Sequence, residues 1–136
     1  MSAPHRALIV AAVSTVNQAA DDKASIPQQL HDCRKTCAAR NWPIIREIVI
    51  SGHSRNYNWL HDLVRSSPEY SQIVDTITSG EITVVVIRDY DRLWRTDALR
   101  AQVTALCREN GVQVYSLNQP VEPLSQEKLA KGRSES

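Results

Sequence analysis

A three-layer α/β sandwich, built on a small, doubly wound, mostly parallel sheet of about four strands, is the fold this sequence predicts. The first observation behind it is residues 82–88, ITVVVIR, where Ile82, Val84, Val85, Val86 and Ile87 are apolar and β-branched and no polar face alternates with them. A strand without a polar face is buried on both sides, which requires layers above and below its sheet. The second is chain order: apolar strand-length runs at 7–13, 44–50 and 112–117 alternate with stretches of helical periodicity, the β-α-β pattern of parallel sheets. The third is the charge that follows the central run, Arg88, Asp89, Asp91, Arg92 and Arg95. In open α/β sheets ligands bind past the carboxyl ends of the strands, where strand order reverses.

Residues 7–13, ALIVAAV, form the first strand and give way to the polar loop Ser14, Thr15, Asn17, Gln18. Ser25 is an N-cap candidate with Pro27 in the first turn and Gln28 three residues on, a capping-box pattern. Ile26, Leu30, Cys33 and Cys37 then share one helix face. Asn41 ends that helix and Pro43 forbids its continuation, so IIREIVI at 44–50 is the second strand. Residues 51–58, SGHSRNYN, are a loop. Trp59, Leu60, Leu63 and Val64 make one helical face, broken at Pro68, and Tyr70, Ile73, Val74 and Ile77 make another, stopped by Gly80. After the central strand, Leu99, Val103, Leu106 and Cys107 mark a helix that ends at Asn110 and Gly111. In the last strand Val112 and Val114 alternate with Gln113 and Tyr115, which suits an edge strand with one partly exposed side.

At 136 residues, 42% hydrophobic and 23% charged, the chain reads as one globular domain over residues 1–123 with a polar tail at 124–136. A net charge of +1 argues against strong sequence-independent DNA affinity, which needs many Lys and Arg, so any basic surface is local. Cys33 and Cys37, four apart, read as small buried side chains rather than metal ligands, because no further His or Cys stands at a supporting spacing. An odd cysteine count, no secretory signal and no apolar run long enough to span a membrane point to a reducing cytoplasm.

Three loops collect at the strand ends. They carry Ser14 and Gln18, then His53 and Arg55, then Asp91, Arg92 and Arg95. With strand one beside strand three, Ser14 faces Arg92. A serine among guanidinium groups without a histidine base is poorly equipped for acyl transfer and well suited to phosphoryl transfer, where positioning and charge stabilisation supply most of the catalysis. The same residues also fit plainer roles: a turn at Ser14 and Thr15, and a solvated helix start in which Arg92 and Arg95 pair with Asp89 and Asp91. His5, His31, His53 and His61 read as surface or loop residues, and Trp59 and Trp94 as packing. Composition and spacing carry the reading as far as an anion-binding α/β domain.

Val13-Ser14-Thr15 with Gln18, Ser25-Ile26 with Gln29, Ile50-Ser51-Gly52 and Asp91-Arg92-Leu93-Trp94-Arg95 resemble, in order and spacing, the catalytic domain of serine recombinases, the resolvase and invertase family. The resemblance covers residues 6–123. It implies Ser14 as the nucleophile on a DNA phosphodiester, a 5′-phosphoserine intermediate with a free 3′-hydroxyl, and no metal or other cofactor. It places Arg92 and Arg95 on the phosphate, gives Asp91 an organising role and has Gln18 support the serine loop. Arg55 and Arg88 are further DNA-phosphate candidates. Two departures stand out: Ala12 and Tyr57 occupy positions where the family carries arginine. The long interface helix and the separate DNA-binding domain of the family do not follow residue 123. Weak DNA binding by this chain alone is therefore expected, with partners being second copies or a full-length recombinase and no membrane. Two other classes fit the same residues: a catalytically degenerate interaction or regulatory module, and a module binding a small phosphorylated ligand.

Overall fold

The computed structural model describes residues 5–12, 26–50 and 57–119. In chain order these form β1 (Ala7–Ala12), α1 (Ile26–Arg40), β2 (Ile44–Ile50), α2 (Leu60–Ser66), α3 (Pro68–Ser79), β3 (Val84–Ile87), a 3-10 turn at Tyr90–Arg92, α4 (Asp97–Glu109) and β4 (Gln113–Ser116). The sheet order is β2-β1-β3-β4 with every neighbouring pair parallel. The chain steps from β1 to β2 on one side, then crosses back to β3 and β4 on the other. Strand order therefore reverses between β1 and β3, as the sequence predicts.

The side chains of each strand alternate between two cores. Leu8, Val10, Ala12, Val85 and Ile87 face α2, α3 and α4 and pack with Leu63, Tyr70, Ile73, Ile77, Leu99, Val103 and Cys107. Ala7, Ile9, Val84 and Val86 face the other way, onto Cys33 and Cys37 of α1, Trp42 and Tyr115. All six residues of β1 and all four of β3 are buried, which is what their unbroken apolar runs require.

Local stops follow the residue chemistry. Asn41 closes α1 with φ 59°, a left-handed conformation that its short polar side chain tolerates. Gly80 closes α3 with φ 83°. Between α2 and α3, Ser67 caps the second helix, its hydroxyl accepting from the Tyr70 amide at 3.1 Å while Pro68 opens the first turn.

Four expectations are corrected. Trp59 precedes α2 instead of belonging to its apolar face. Its carbonyl accepts from the amides of Asp62 and Leu63, and the residue is 60% exposed. His5 is not a surface residue: it is buried, with Nδ1 3.0 Å from the Thr83 hydroxyl and its ring edge-on to Trp42. Tyr115 does not form an exposed side of β4. Arg40 lies over its ring and donates to its hydroxyl at 3.0 Å, and Trp42 packs against it. The central strand runs from Val84 to Ile87, shorter than the 82–88 run, although Thr83 still bonds to its neighbours, its amide donating to the Arg6 carbonyl at 2.8 Å and its hydroxyl accepting from the Arg6 amide at 2.8 Å.

Burial pushes the thiols of Cys33 and Cys107 up to about 12 and that of Cys37 up to about 11, with the neighbouring Cys37 and Asp32 adding to the effect at Cys33. An acid whose pKa is raised by folding stays protonated in the native state while the unfolded chain ionises, so the stability it contributes is complete below pH 9 and is lost as pH rises toward the folded values. The slope approaches ~1.4 kcal/mol per pH unit for each thiol. Urea unfolding measured from pH 8 to 11 is expected to show this loss, and Cys33→Ala with Cys107→Ala to flatten it.

Candidate active site at the end of β1

The carboxyl end of β1 is held by two side chains that come from opposite layers. From α1, the Gln29 amide lies along the backbone of Ala12: its Oε1 accepts from the Ala12 N–H at 3.0 Å and its Nε2 donates to the Ala12 carbonyl at 2.9 Å. A side-chain amide thus replaces a neighbouring strand where the ladder ends. From the turn after β3, Arg92 Nη1 donates to the same carbonyl at 3.1 Å. Gln29 is fully buried and Arg92 is 1% exposed. In the sequence, Ser14 follows two residues after Ala12.

Arg92 is placed by a tight turn. Its amide donates to the Asp89 carbonyl at 3.0 Å, and the amides of Leu93 and Trp94 donate to the Tyr90 carbonyl at 2.9 and 3.2 Å. The guanidinium faces two carboxylates, Asp89 at 3.4 Å and Asp91 at 3.6 Å. Its Nε is buried and, among the described residues, has no hydrogen-bond partner, Asp91 Oδ1 standing 3.6 Å away. The plainer reading holds for Arg92 in its pairing with Asp89 and Asp91 and fails in its solvation, since the guanidinium is enclosed. Tyr70 of α3 fixes the turn from below, its hydroxyl donating to the Leu93 carbonyl at 2.9 Å, and the Tyr90 and Trp94 rings stack at 5.7 Å.

The same region ties down the end of the loop after β2. Thr96 caps α4, accepting from the Leu99 amide at 3.1 Å, and donates to the Tyr57 carbonyl at 2.8 Å. Gln102 donates to the Asn58 carbonyl at 2.6 Å and accepts from the Leu60 amide at 2.7 Å. The end of β1 thus meets the turn that carries Arg92, and residues 57–60 are tied to the start of α4 that follows it.

Arg95 is exposed and lines an open cleft with Tyr90, Trp94 and Arg100. Arg88 turns toward α1, where it pairs with Asp32. Ser14, Gln18, His53 and Arg55 lie outside the described residues. Ala12 is fully buried, and Tyr57 packs against the core on the α2–α4 side. Among the described residues, no group of three or more His, Cys, Asp or Glu side chains could hold a metal ion, and no helix is long and apolar enough to cross a membrane.

Gln29, quoted above only as part of the family resemblance, is the residue at the end of β1 whose place composition and spacing miss. The apolar positions of α1 direct attention to Ile26 and Leu30, yet the residues fully buried on that helix are Gln29, Cys33 and Cys37. Their spacing of four and four was a usable signal, because a Gln in register with two buried cysteines must satisfy its amide internally. Gln29→Leu strips the Ala12 N–H of its acceptor and is expected to cost ~1–3 kcal/mol in urea unfolding. Gln29→Glu, which keeps the acceptor and loses the donor, is expected to cost less at pH 5 than at pH 8, since protonation restores a donor.

A family model described as Resolvase, N terminal domain matches residues 7–131. Among solved structures, the chain is similar to the N-terminal catalytic domain of TP901-1 integrase, with TM-score 0.71 and 19% identity over 95% of this chain and 94% of that one. It is also similar to a resolvase family site-specific recombinase from Streptococcus pneumoniae, with TM-score 0.67 and 15% identity over 96% and 86%. A third is the C-terminal catalytic domain of ISC1926 TnpA, an IS607-like serine recombinase, with TM-score 0.66 and 18% identity over 95% and 78%. A search of curated proteins by sequence finds no match.

Proposed function

The chain belongs to the family of resolvase N-terminal domains, and from that premise we propose that it acts in site-specific DNA recombination, cleaving and exchanging strands through Ser14. The observation that carries this reading is the convergence of Gln29 and Arg92 on the Ala12 carbonyl. A buried cation and a buried amide are spent on fixing the backbone two residues before the proposed nucleophile, which is costly unless the position of that serine matters.

In this reading the Ser14 Oγ attacks the scissile phosphorus. The bond to the 3′ oxygen breaks as the Ser14 oxygen bonds to phosphorus, the proton released by the serine hydroxyl ends on that oxygen to give a free 3′-hydroxyl, and the 5′-phosphate stays on the serine. Reversal of the same step by a different 3′-hydroxyl rejoins the strand, so the energy of the phosphodiester is kept in the phosphoserine bond. Arg95, exposed at the cleft, takes the phosphate oxygens; Arg92 stabilises the developing charge from beneath and holds the serine loop in register; Asp91 orients Arg92. Gln18 supports the serine loop, and Arg55 adds charge from the loop after β2.

The test is a denaturing gel for a covalent protein–DNA adduct formed on supercoiled DNA, with Ser14→Ala as control. An adduct that the substitution removes supports the reading. An adduct that survives it, or none where an active recombinase gives one, counts against it.

One pair of observations favours a second reading, a degenerate module that pairs with a full-length recombinase. Both family arginine positions at the strand ends hold side chains packed in the core, Ala12 completely and Tyr57 in part. Losing one arginine aimed at a phosphoryl transition state costs on the order of 10³–10⁵ in rate. If charge is the sole deficit, Ala12→Arg combined with Tyr57→Arg is expected to raise adduct yield. The degenerate reading expects no gain and an indifference to Ser14→Ala in partner binding.

A further inference from the structure

The cationic groups near the strand ends differ in how far they are already committed. Arg88 pairs with Asp32, and Arg92 is enclosed between Asp89 and Asp91. Arg95 is exposed and, among the described residues, has no ion-pair partner. Arg100, one turn into α4, lines the same cleft. Its only ion pair among the described residues is with Asp97 at 3.9 Å, where the side chains are 61% and 101% exposed. A pair so long and so solvated holds the guanidinium weakly.

The wall between these two arginines is rigid and flat. It is the stacked Tyr90–Trp94 pair, whose ring planes lie within 12° of each other. Trp94 is 8% exposed, and the turn beneath it is pinned by Tyr70. The cleft therefore offers two exposed, weakly committed guanidiniums beside a stacked aromatic pair, opposed by Asp91, which is occupied with Arg92, and by Asp97. A single phosphate needs one such fork; a polyanion with regularly spaced charges uses two.

We propose that Arg100 is a DNA-contacting residue that binds a backbone phosphate next to the one held by Arg95, so that the cleft between Tyr90 and α4 carries the strand flanking the cleavage point. The inference rests on the recombination reading and extends it to a residue outside the motif that led to that reading. Duplex backbone presents one charge per ~3.4 Å of axis along each strand, so successive phosphates can engage both arginines from one side. Asp97 then acts as a placeholder that the phosphate displaces. Part of the positive charge missing at Ala12 and Tyr57 is supplied here instead, and it serves binding more than the chemical step.

The experiment is a salt titration of binding to a short mixed-sequence duplex by fluorescence anisotropy. Arg100→Ala is expected to lower the slope of log K against log salt by ~0.9 and to weaken binding about eightfold at 0.1 M salt. Arg100→Lys is expected to preserve the slope, and Asp97→Asn to tighten binding. Circular dichroism on each variant separates these effects from misfolding, which is not expected at an exposed helix position. Wild-type binding with a slope unchanged in a folded Arg100→Ala variant would overturn the role of Arg100 and leave the recombination reading standing. No binding by the wild-type chain at any salt would overturn the role of Arg100 as well, while the recombination reading is decided separately by the covalent-adduct test.

Discussion

Arg92→Ala is expected to reduce formation of the covalent adduct by ~10³–10⁵, the range associated with removing an arginine from a phosphoryl-transfer site. Two losses combine in it. The guanidinium no longer balances charge developing on the phosphate, and the Ala12 carbonyl loses one of its two donors, so the serine loop starts from a less defined position. The cost in stability is expected to be much smaller, ~1–2 kcal/mol, because Asp89 and Asp91 have side chains 30% and 35% exposed and regain solvent when their partner is removed. Arg92→Lys separates the two losses. It keeps a charge but cannot reach the Ala12 carbonyl and both carboxylates at once, since one ammonium does not reproduce a planar fork. Near-wild-type urea unfolding with adduct formation still down by at least a hundredfold is the expected outcome. Wild-type adduct rates in a folded Arg92→Ala variant would remove Arg92 from the chemistry.

Tyr70→Ala is expected to be the most destabilising single substitution considered, at ~3–5 kcal/mol. The ring is fully buried in the core between the sheet and α2–α4, so truncation leaves a large cavity. Its hydroxyl also donates to the Leu93 carbonyl, one residue after Arg92. In a chain of this size the loss corresponds to a fall in Tm of roughly 10–20 °C. Tyr70→Phe keeps the packing and removes the donor alone, and ~1–3 kcal/mol is expected there. Because the turn carrying Arg92 hangs on that bond, Tyr70→Phe is also expected to slow adduct formation beyond what its lower stability explains at a temperature where it is fully folded. An effect on Tm with no effect on the rate would make Tyr70 a core residue only.

Most of the frame was legible because its signals are local. The unbroken apolar runs of β1 and β3 required burial on both faces, and Asn41, Pro68 and Gly80 punctuate the chain through backbone chemistry that does not depend on tertiary context. Adjacency of β1 and β3 is only a condition in the sequence reading, and the observed order β2-β1-β3-β4 meets it. The errors share a different cause. His5, expected on the surface or in a loop, lies outside the regular elements yet is buried, and Tyr115, expected on a partly exposed side, is buried too, by partners distant in sequence, Thr83 for the first and Arg40 for the second. Trp59 was read into an apolar face because its spacing fits, yet the helix starts one residue later. Gln29 was hidden for the opposite reason: a polar side chain in the most buried stripe of α1 makes sense only once its partner, the backbone end of β1, is known. At the site, Arg92 and Arg95 look alike in the motif and differ completely in burial, a distinction set by the 3-10 turn.

The most direct test of Ser14 as the nucleophile is to trap the adduct, trim its DNA with nuclease and locate the remaining nucleotide by peptide mass spectrometry. A 5′-linked nucleotide mass on the peptide containing Ser14, absent from Ser14→Ala, is the predicted result. The same mass on any other residue, or a free 5′-phosphate with unmodified Ser14 in DNA that has been cut, would contradict it.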